Sequence, residues 1–352
     1  MSNFYKVLGK PINPLYINGS EMDIRGKKAV ISQVSDSSWE SQYDAPSHHE
    51  VNALYGSSVV YKGKIHIFGL DNIETSGNHY TWDGENLELV DSGRFPHSMI
   101  GCSVVVYNDK IHILGGSTES NKKTRNLHYT WDEDNGYVEL QAKITYSVNN
   151  STALVVNNEI HVLGGDHSSS TKKSHSIFNG SSWRKGIALP QQMVGKHMAY
   201  VTQGTDPDQP LEYGKDVLHT AHYNKKKNLT ARCFLRTYYN KKGKVVESWE
   251  GDSDIGDYLK VGLITTVGNI AHALVGKDHY TAIFEDGIGG AYGPYRFKKN
   301  LDILPFTVDP ENPYDEVNLL EYSDGLYLIY DSPYTPIWER KQSYILEITE
   351  EE

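Results

Sequence analysis

Cysteine is nearly absent: Cys102 and Cys233 are the only two, so no disulfide framework holds this fold. No apolar run approaches the roughly 18 residues of a membrane-crossing helix. The start, Met1-Ser2-Asn3-Phe4-Tyr5-Lys6, lacks a charged segment followed by an apolar one. A Sec-type signal peptide is therefore not expected, and synthesis in the cytoplasm is. Basic residues are the minority, 34 Lys and Arg against 45 Asp and Glu, for a net charge of -11. That balance argues against general affinity for nucleic acid or an anionic membrane. No segment sustains an i, i+3, i+4, i+7 apolar pattern, so no helix of ordinary length is expected.

What is abundant points to sheet. There are 25 Tyr against 8 Phe and 6 Trp, with 31 Gly and 15 His. At 38% hydrophobic and 22% charged residues, the chain has the composition of a folded protein rather than a disordered one. The 352 residues suit two domains or one large all-β unit.

Internal repeats decide between these. An apolar β-branched run, a two-residue turn and a second apolar run ending in Gly occur three times. The turns are Lys62-Gly63, Asn108-Asp109 and Asn157-Asn158, and the second runs carry His66, His112 and His161. Such turns favour positive φ and read as hairpins. A third strand follows at His79–Trp82, His128–Trp131 and His175–Phe178, then a turn and a fourth strand. Four strands per unit of this length is the pattern of a propeller blade. Weaker copies place His219, His272 and Tyr327 at the marker position. In the fifth copy His279–Phe284 takes the third-strand place, and in the sixth Ser343–Ile348 is a later strand of the same copy. The expectation is an all-β propeller of four-stranded antiparallel sheets with six blades, five to seven being compatible. Residues 46–352 form it, and residues 1–45 are a segment that closes the ring or docks elsewhere.

The repeats resemble the Kelch motif. Gly115-Gly116 and Gly164-Gly165 match its diglycine, and Phe178-Asn179-Gly180-Ser181-Ser182-Trp183 matches its aromatic–turn–Trp element. The first copy departs from it with Gly69-Leu70, and copies four to six lack the diglycine. The resemblance implies a blade for each copy. It also implies two functional settings. Kelch-like propellers occur in tail and receptor-binding proteins of bacteriophages, which implies a non-catalytic virion component binding virion proteins or a host glycan. Kelch-type sialic-acid mutarotases imply the alternative, an enzyme drawing on Glu50, Arg94 and His97.

The recurring His residues resemble a metal set only in number. They sit at one position in successive blades between apolar neighbours, where packed, hydrogen-bonded side chains are expected. Asp252-Ser253-Asp254-Ile255-Gly256-Asp257 alternates carboxylates around a Gly turn, so Asp252, Asp254 and Asp257 are candidate Ca²⁺ ligands, without the closing Glu of an EF-hand loop. Asp132–Gly136 reads as a turn. No Walker A sequence and no G-x-S-x-G elbow is present, so no catalytic residue and no other cofactor is expected. Tyr residues outside the repeat, Tyr213, Tyr292, Tyr295, Tyr314 and Tyr334, are candidates for a recognition face, because Tyr offers broad contact area with a polar tip. The expected partners are proteins of a larger assembly or a cell-surface carbohydrate. Nucleic acid and membrane insertion are not expected.

Overall fold

The computed structural model describes residues 3–6, 21–24, 27–33, 38–43, 54–70, 77–95, 101–118, 123–124, 126–166, 171–195, 199–203, 210–224, 229–252, 263–267, 270–283, 298–308, 317–322, 325–330, 337–341 and 344–350. Among them, regular structure is strand throughout, apart from one 3-10 turn at Thr171–Lys173.

The first three repeats each build a four-stranded antiparallel sheet in simple meander order. The first uses Leu54–Tyr61, Lys64–Leu70, Gly77–Trp82 and Leu87–Phe95. The second uses Ser103–Tyr107, Lys110–Leu114, His128–Asp132 and Gly136–Glu139. The third uses Thr152–Val156, Glu159–Leu163, His175–Phe178 and Trp183–Lys185. The fourth sheet follows the same plan with Ala199–Gln203, Asp216–Asn224, Leu229–Tyr239 and Val245–Asp252. The first strands of these sheets lie side by side in order, continue to Leu263–Val267 and Val317–Tyr322, and return to Leu54–Tyr61. Among the described residues six sheets thus surround one axis as the blades of a Kelch-like β-propeller.

The turn chemistry works as the sequence implies. Lys62, Asn108, Asp109, Asn157 and Asn158 all have positive φ, between 46° and 60°, as two-residue hairpins with a right-handed strand twist require. The diglycines serve close approach. A Cβ on Gly115 would lie 2.4 Å from the Val148 carbonyl oxygen, and one on Gly164 2.3 Å from that of Met193. The next glycine in each pair donates its amide to the same carbonyl, Gly116 to Val148 at 2.8 Å and Gly165 to Met193 at 3.0 Å. No side chain fits there.

Two strand assignments need correction. His279 is not on a third strand: Ile270–Ile283 is one continuous strand. Its pairing to Lys298–Val308 shifts register on either side of Asp278. Gly276 and Lys277 look like a turn in sequence, but the chain absorbs them as an irregularity within an extended strand. Ser343–Ile348 does not belong to the sixth blade either. Ile337–Lys341 takes the third-strand place there beside Gly325–Tyr330. Tyr344–Glu350 instead pairs with Lys27–Gln33 and Asn3–Lys6, in a separate four-stranded sheet completed by Glu21–Ile24. The outer strand of the sixth blade comes from the other end of the chain, Ser38–Tyr43, paired to Ile337–Lys341.

The core lies between blades. Tyr61 and Phe68 of the first blade pack with Ile111, Ile113, Tyr129 and Trp131 of the second. Val105, Tyr107 and Leu114 meet Ile160, Val162 and Phe178 of the third. Val156 and Leu163 meet Ala199 and Leu218 of the fourth. The second and third sheets therefore bury both faces, as expected for blades of a closed ring.

Candidate functional site

Most repeated polar residues turn out to stitch one blade to the next. At the start of the inner strands, Ser57 donates to the Cys102 carbonyl at 2.6 Å, Ser103 to Ser151 at 2.5 Å and Thr152 to Gly195 at 2.7 Å. At their far ends the Tyr61 hydroxyl donates to the Asp109 carbonyl at 2.9 Å, and Tyr107 to Asn158 at 3.1 Å. The third inner strand ends in Val156, which has no hydroxyl. There Asn157 and Asp216 exchange three hydrogen bonds of 2.8 to 2.9 Å across to the fourth blade.

Among the described residues, six of the His side chains form three buried pairs. His66 Nδ1 is 2.8 Å from His79 Nε2, His112 Nδ1 is 2.7 Å from His128 Nε2, and His161 Nδ1 is 2.9 Å from His175 Nε2. In each, the second-strand His meets the third-strand His diagonally, since His66 is in register with Thr81 and Phe68 with His79. Burial holds all six rings below the usual imidazole range: His66, His112 and His175 at about 4, His128 and His161 at about 3, and His79 lower still. All six are neutral at pH 7.

A neutral imidazole has one N–H, so partners fix the tautomers. In the second blade His112 Nε2 lies 3.1 Å from the Tyr107 carbonyl and must donate to it. Its Nδ1 then accepts from His128 Nε2–H. His128 Nδ1, left with a lone pair, accepts from Trp183 Nε1–H of the third blade at 3.2 Å. The third blade reverses this direction. His175 Nδ1 faces the Ile187 carbonyl at 3.2 Å and donates to it, so His161 Nδ1–H donates to His175 Nε2. Trp249 of the fourth blade donates to the same Ile187 oxygen at 3.1 Å. In the first blade Tyr137 occupies the place that Trp183 holds over the second, and His79 Nδ1 has no donor among the described residues. These pairs sit under the aromatic residues of the following blade and do not face solvent.

Exposed chemistry gathers where the first strand of each blade turns into the second and the third into the fourth. Antiparallel order places both turns at one end of the ring. The second of these turns is built the same way four times, by an Asx side chain accepting amides two to four residues ahead. Asp83 accepts from Glu85 and Asn86 at 3.0 and 2.8 Å, and Asp132 from Asp134 and Asn135 at 3.1 and 2.8 Å. Asn179 accepts from Ser181 and Ser182 at 3.1 and 3.0 Å, and Asn240 from Lys242 and Lys244 at 2.9 and 3.1 Å.

Tyr213 stands at the same end of the fourth blade, on the loop entering its second strand, and is 58% exposed. Its neighbour Glu212 is only 4% exposed. Glu212 Oε1 accepts the Thr237 amide at 2.5 Å and the Glu212 carbonyl accepts the Lys215 amide at 2.9 Å. With Asp216 clamped to Asn157, the loop is pinned on both sides of Tyr213. Two residues beyond Thr237 on the same strand is Tyr239, 57% exposed and in register with Val245, 48% exposed. Composition singled out Tyr213 because it lies outside the repeat. It missed Tyr239, which reads as an ordinary strand Tyr until pairing places it at the blade tip.

Of the other candidates, Asp252 ends the outer strand of the fourth blade, paired to Arg232, while Asp254 and Asp257 lie outside the described residues. Tyr292, Tyr295, Tyr314, Tyr334, Glu50 and His97 also lie outside them. Arg94 is on the outer strand of the first blade. Among the described residues no three His, Cys, Asp or Glu side chains gather as a metal site. Cys102 and Cys233 are buried free thiols, and no described helix is long and apolar enough to cross a membrane.

Fold and repeats together define a Kelch-like β-propeller. A solved structure titled "Structure of YjhT" is similar over 87% of this chain and 99% of its own, with a TM-score of 0.55 and 12% identity. At that identity the likeness extends to fold alone. No family model and no curated protein matches the sequence.

Proposed function

We propose that this chain is a non-catalytic binding propeller that engages its partner through the turn-bearing end of the fourth blade. The observation carrying the reading is Tyr213, a large side chain presented to solvent on a loop that buried Glu212 pins to Thr237. A pinned loop loses little conformational freedom on binding, so the aromatic contact retains its free energy. Tyr at such a place suits either a protein or a sugar surface. The finer reading is a bacteriophage tail or virion component that holds other virion proteins or a host cell-surface glycan. The Kelch resemblance of its divergent repeats supports it.

The test is retention of the full chain on immobilised virion proteins and on host cell-wall preparations. Retention is expected, weakened about tenfold by Tyr213→Ala, since a central aromatic contact contributes about 1–2 kcal/mol or more. The variant should melt as the unaltered protein does. Absence of retention on both, together with absence of the protein from purified particles, overturns the reading.

A further inference from the structure

The four Asx turns at one end of the ring provide an internal comparison. Their geometry needs the Asp or Asn that starts each turn, and leaves the residues after it free. Those free residues change sign around the ring. Exposed Glu85 follows Asp83, and exposed Glu133 and Asp134 follow Asp132. Uncharged Ser181 and Ser182 follow Asn179. In the fourth blade Lys241, Lys242 and Lys244 follow Asn240, all exposed. The turn would form equally well with neutral residues, as the third blade demonstrates. Nothing in the backbone therefore asks for three cations there, and the net charge of the chain, -11, runs the other way.

The same tip carries the exposed aromatics. Tyr239 leads directly into the Asn240 turn, and Tyr213 stands on the loop tied to Thr237. Lys215, also exposed, follows Tyr213 by two residues. Gly243, at φ +69° with no atom within 4 Å of where a Cβ would sit, keeps the turn open rather than filling it. Two Tyr rings beside four Lys side chains offer faces for sugar rings and ammonium groups for anionic substituents.

We infer that this tip binds a polyanionic glycan, with Tyr213 and Tyr239 against the sugar faces and Lys215, Lys241, Lys242 and Lys244 on its carboxylates or phosphates. The inference rests on the recognition-face reading above and adds the ligand's chemistry to it. A nucleic acid shares the charge but is the poorer occupant. The acidic tip of the second blade, where Asp109, Asp132, Glu133 and Asp134 stand against Lys110 alone, lies at the same end and repels an extended polyanion that lacks a specific fit.

The experiment measures binding of the full chain to four immobilised probes: polygalacturonate, a glucosylated glycerol-phosphate polymer, neutral dextran and double-stranded DNA. The expected result is binding to one or both anionic carbohydrate polymers, falling as salt rises. Polygalacturonate alone identifies carboxylate as the partner group, and the glycerol-phosphate polymer alone identifies phosphate. The Lys241→Gln, Lys242→Gln, Lys244→Gln variant should bind at least about tenfold more weakly, given three surface ion pairs. Tyr213→Ala should weaken the same binding, and both variants should melt with the unaltered protein. Equal binding of DNA, or binding unchanged by the triple variant, overturns the inference. Retention on dextran or on neutral wall glycan that depends on Tyr213 but not on the Lys residues overturns it while leaving the recognition face intact. No binding to any of the four probes also overturns it. Retention of virion proteins in the separate assay then decides the broader reading on its own.

Discussion

Acid should dismantle the first three blades in a narrow window set by the buried His pairs. An unfolded imidazole titrates at 6.5, whereas folded His66, His112 and His175 titrate at about 4, with His128 and His161 at about 3 and His79 lower. A ring whose folded pKa is depressed contributes its full stability above pH 6.5. That contribution falls as pH drops below 6.5 and is exhausted once the folded ring also titrates. At pH 5 the unfolded chain has protonated nearly every ring and the folded one has not. The difference is about 2 kcal/mol per ring, and about 12 kcal/mol for six rings. A domain's whole stability is about 5–15 kcal/mol, so cooperative loss of structure is expected between about pH 6 and 5. Among the described carboxylates the strongly shifted one, Asp132 at about 2, acts below pH 4, outside this window, through its Lys110 and Asn135 hydrogen bonds. The assay is urea unfolding followed by Trp fluorescence at half-unit steps from pH 7.5 to 4. The free energy should fall by several kcal/mol per pH unit below 6, with uptake of about six protons on unfolding. A stability unchanged between pH 7 and 5 would refute both the burial of the pairs and their neutral hydrogen bonding.

Two further outcomes test particular parts of the reading. Trp183→Phe keeps the ring but removes the donor to His128 Nδ1, and urea unfolding at pH 7.5 should show a loss of about 1–2 kcal/mol for the orphaned lone pair. A cost below a few tenths of a kcal/mol means the deduced tautomers are wrong. Incubated with sialic acid, the protein should leave the anomer exchange rate at its spontaneous value. An acceleration abolished by Glu50→Gln would replace the binding reading with the mutarotase alternative.

The propeller was legible in the sequence because each blade repeats the same local demands. Asn108-Asp109 and Asn157-Asn158 announce hairpins through turn chemistry, and Gly115-Gly116 marks a place with no room for a Cβ. Both signals act within a few residues and survive without knowledge of neighbours. The reading failed where a local signal had two solutions. Gly276-Lys277-Asp278 can turn a hairpin or sit inside an irregular strand, and pairing with Lys298–Val308 chose the second. Tyr344–Glu350 has the pattern of any half-buried strand, and only its pairing to Lys27–Gln33 took it away from the sixth blade.

The candidate site divides along the same line. The sequence alone determined that Tyr213 stands outside the repeat and that His66, His112 and His161 share one position. It also determined that few Cys and no long apolar run leave strand packing to hold the chain. The tertiary structure decided what those facts mean. It put the His residues in pairs beneath the next blade's aromatics, where burial keeps them neutral. It also brought Tyr239 and the Lys241–Lys244 turn to the loop that carries Tyr213. The physical reason is range: turn propensity and side-chain alternation are fixed by neighbours in the chain. Burial, hydrogen-bond direction and the sign of a surface depend on residues 13 to 62 positions away, brought close only when the blades and the ring form.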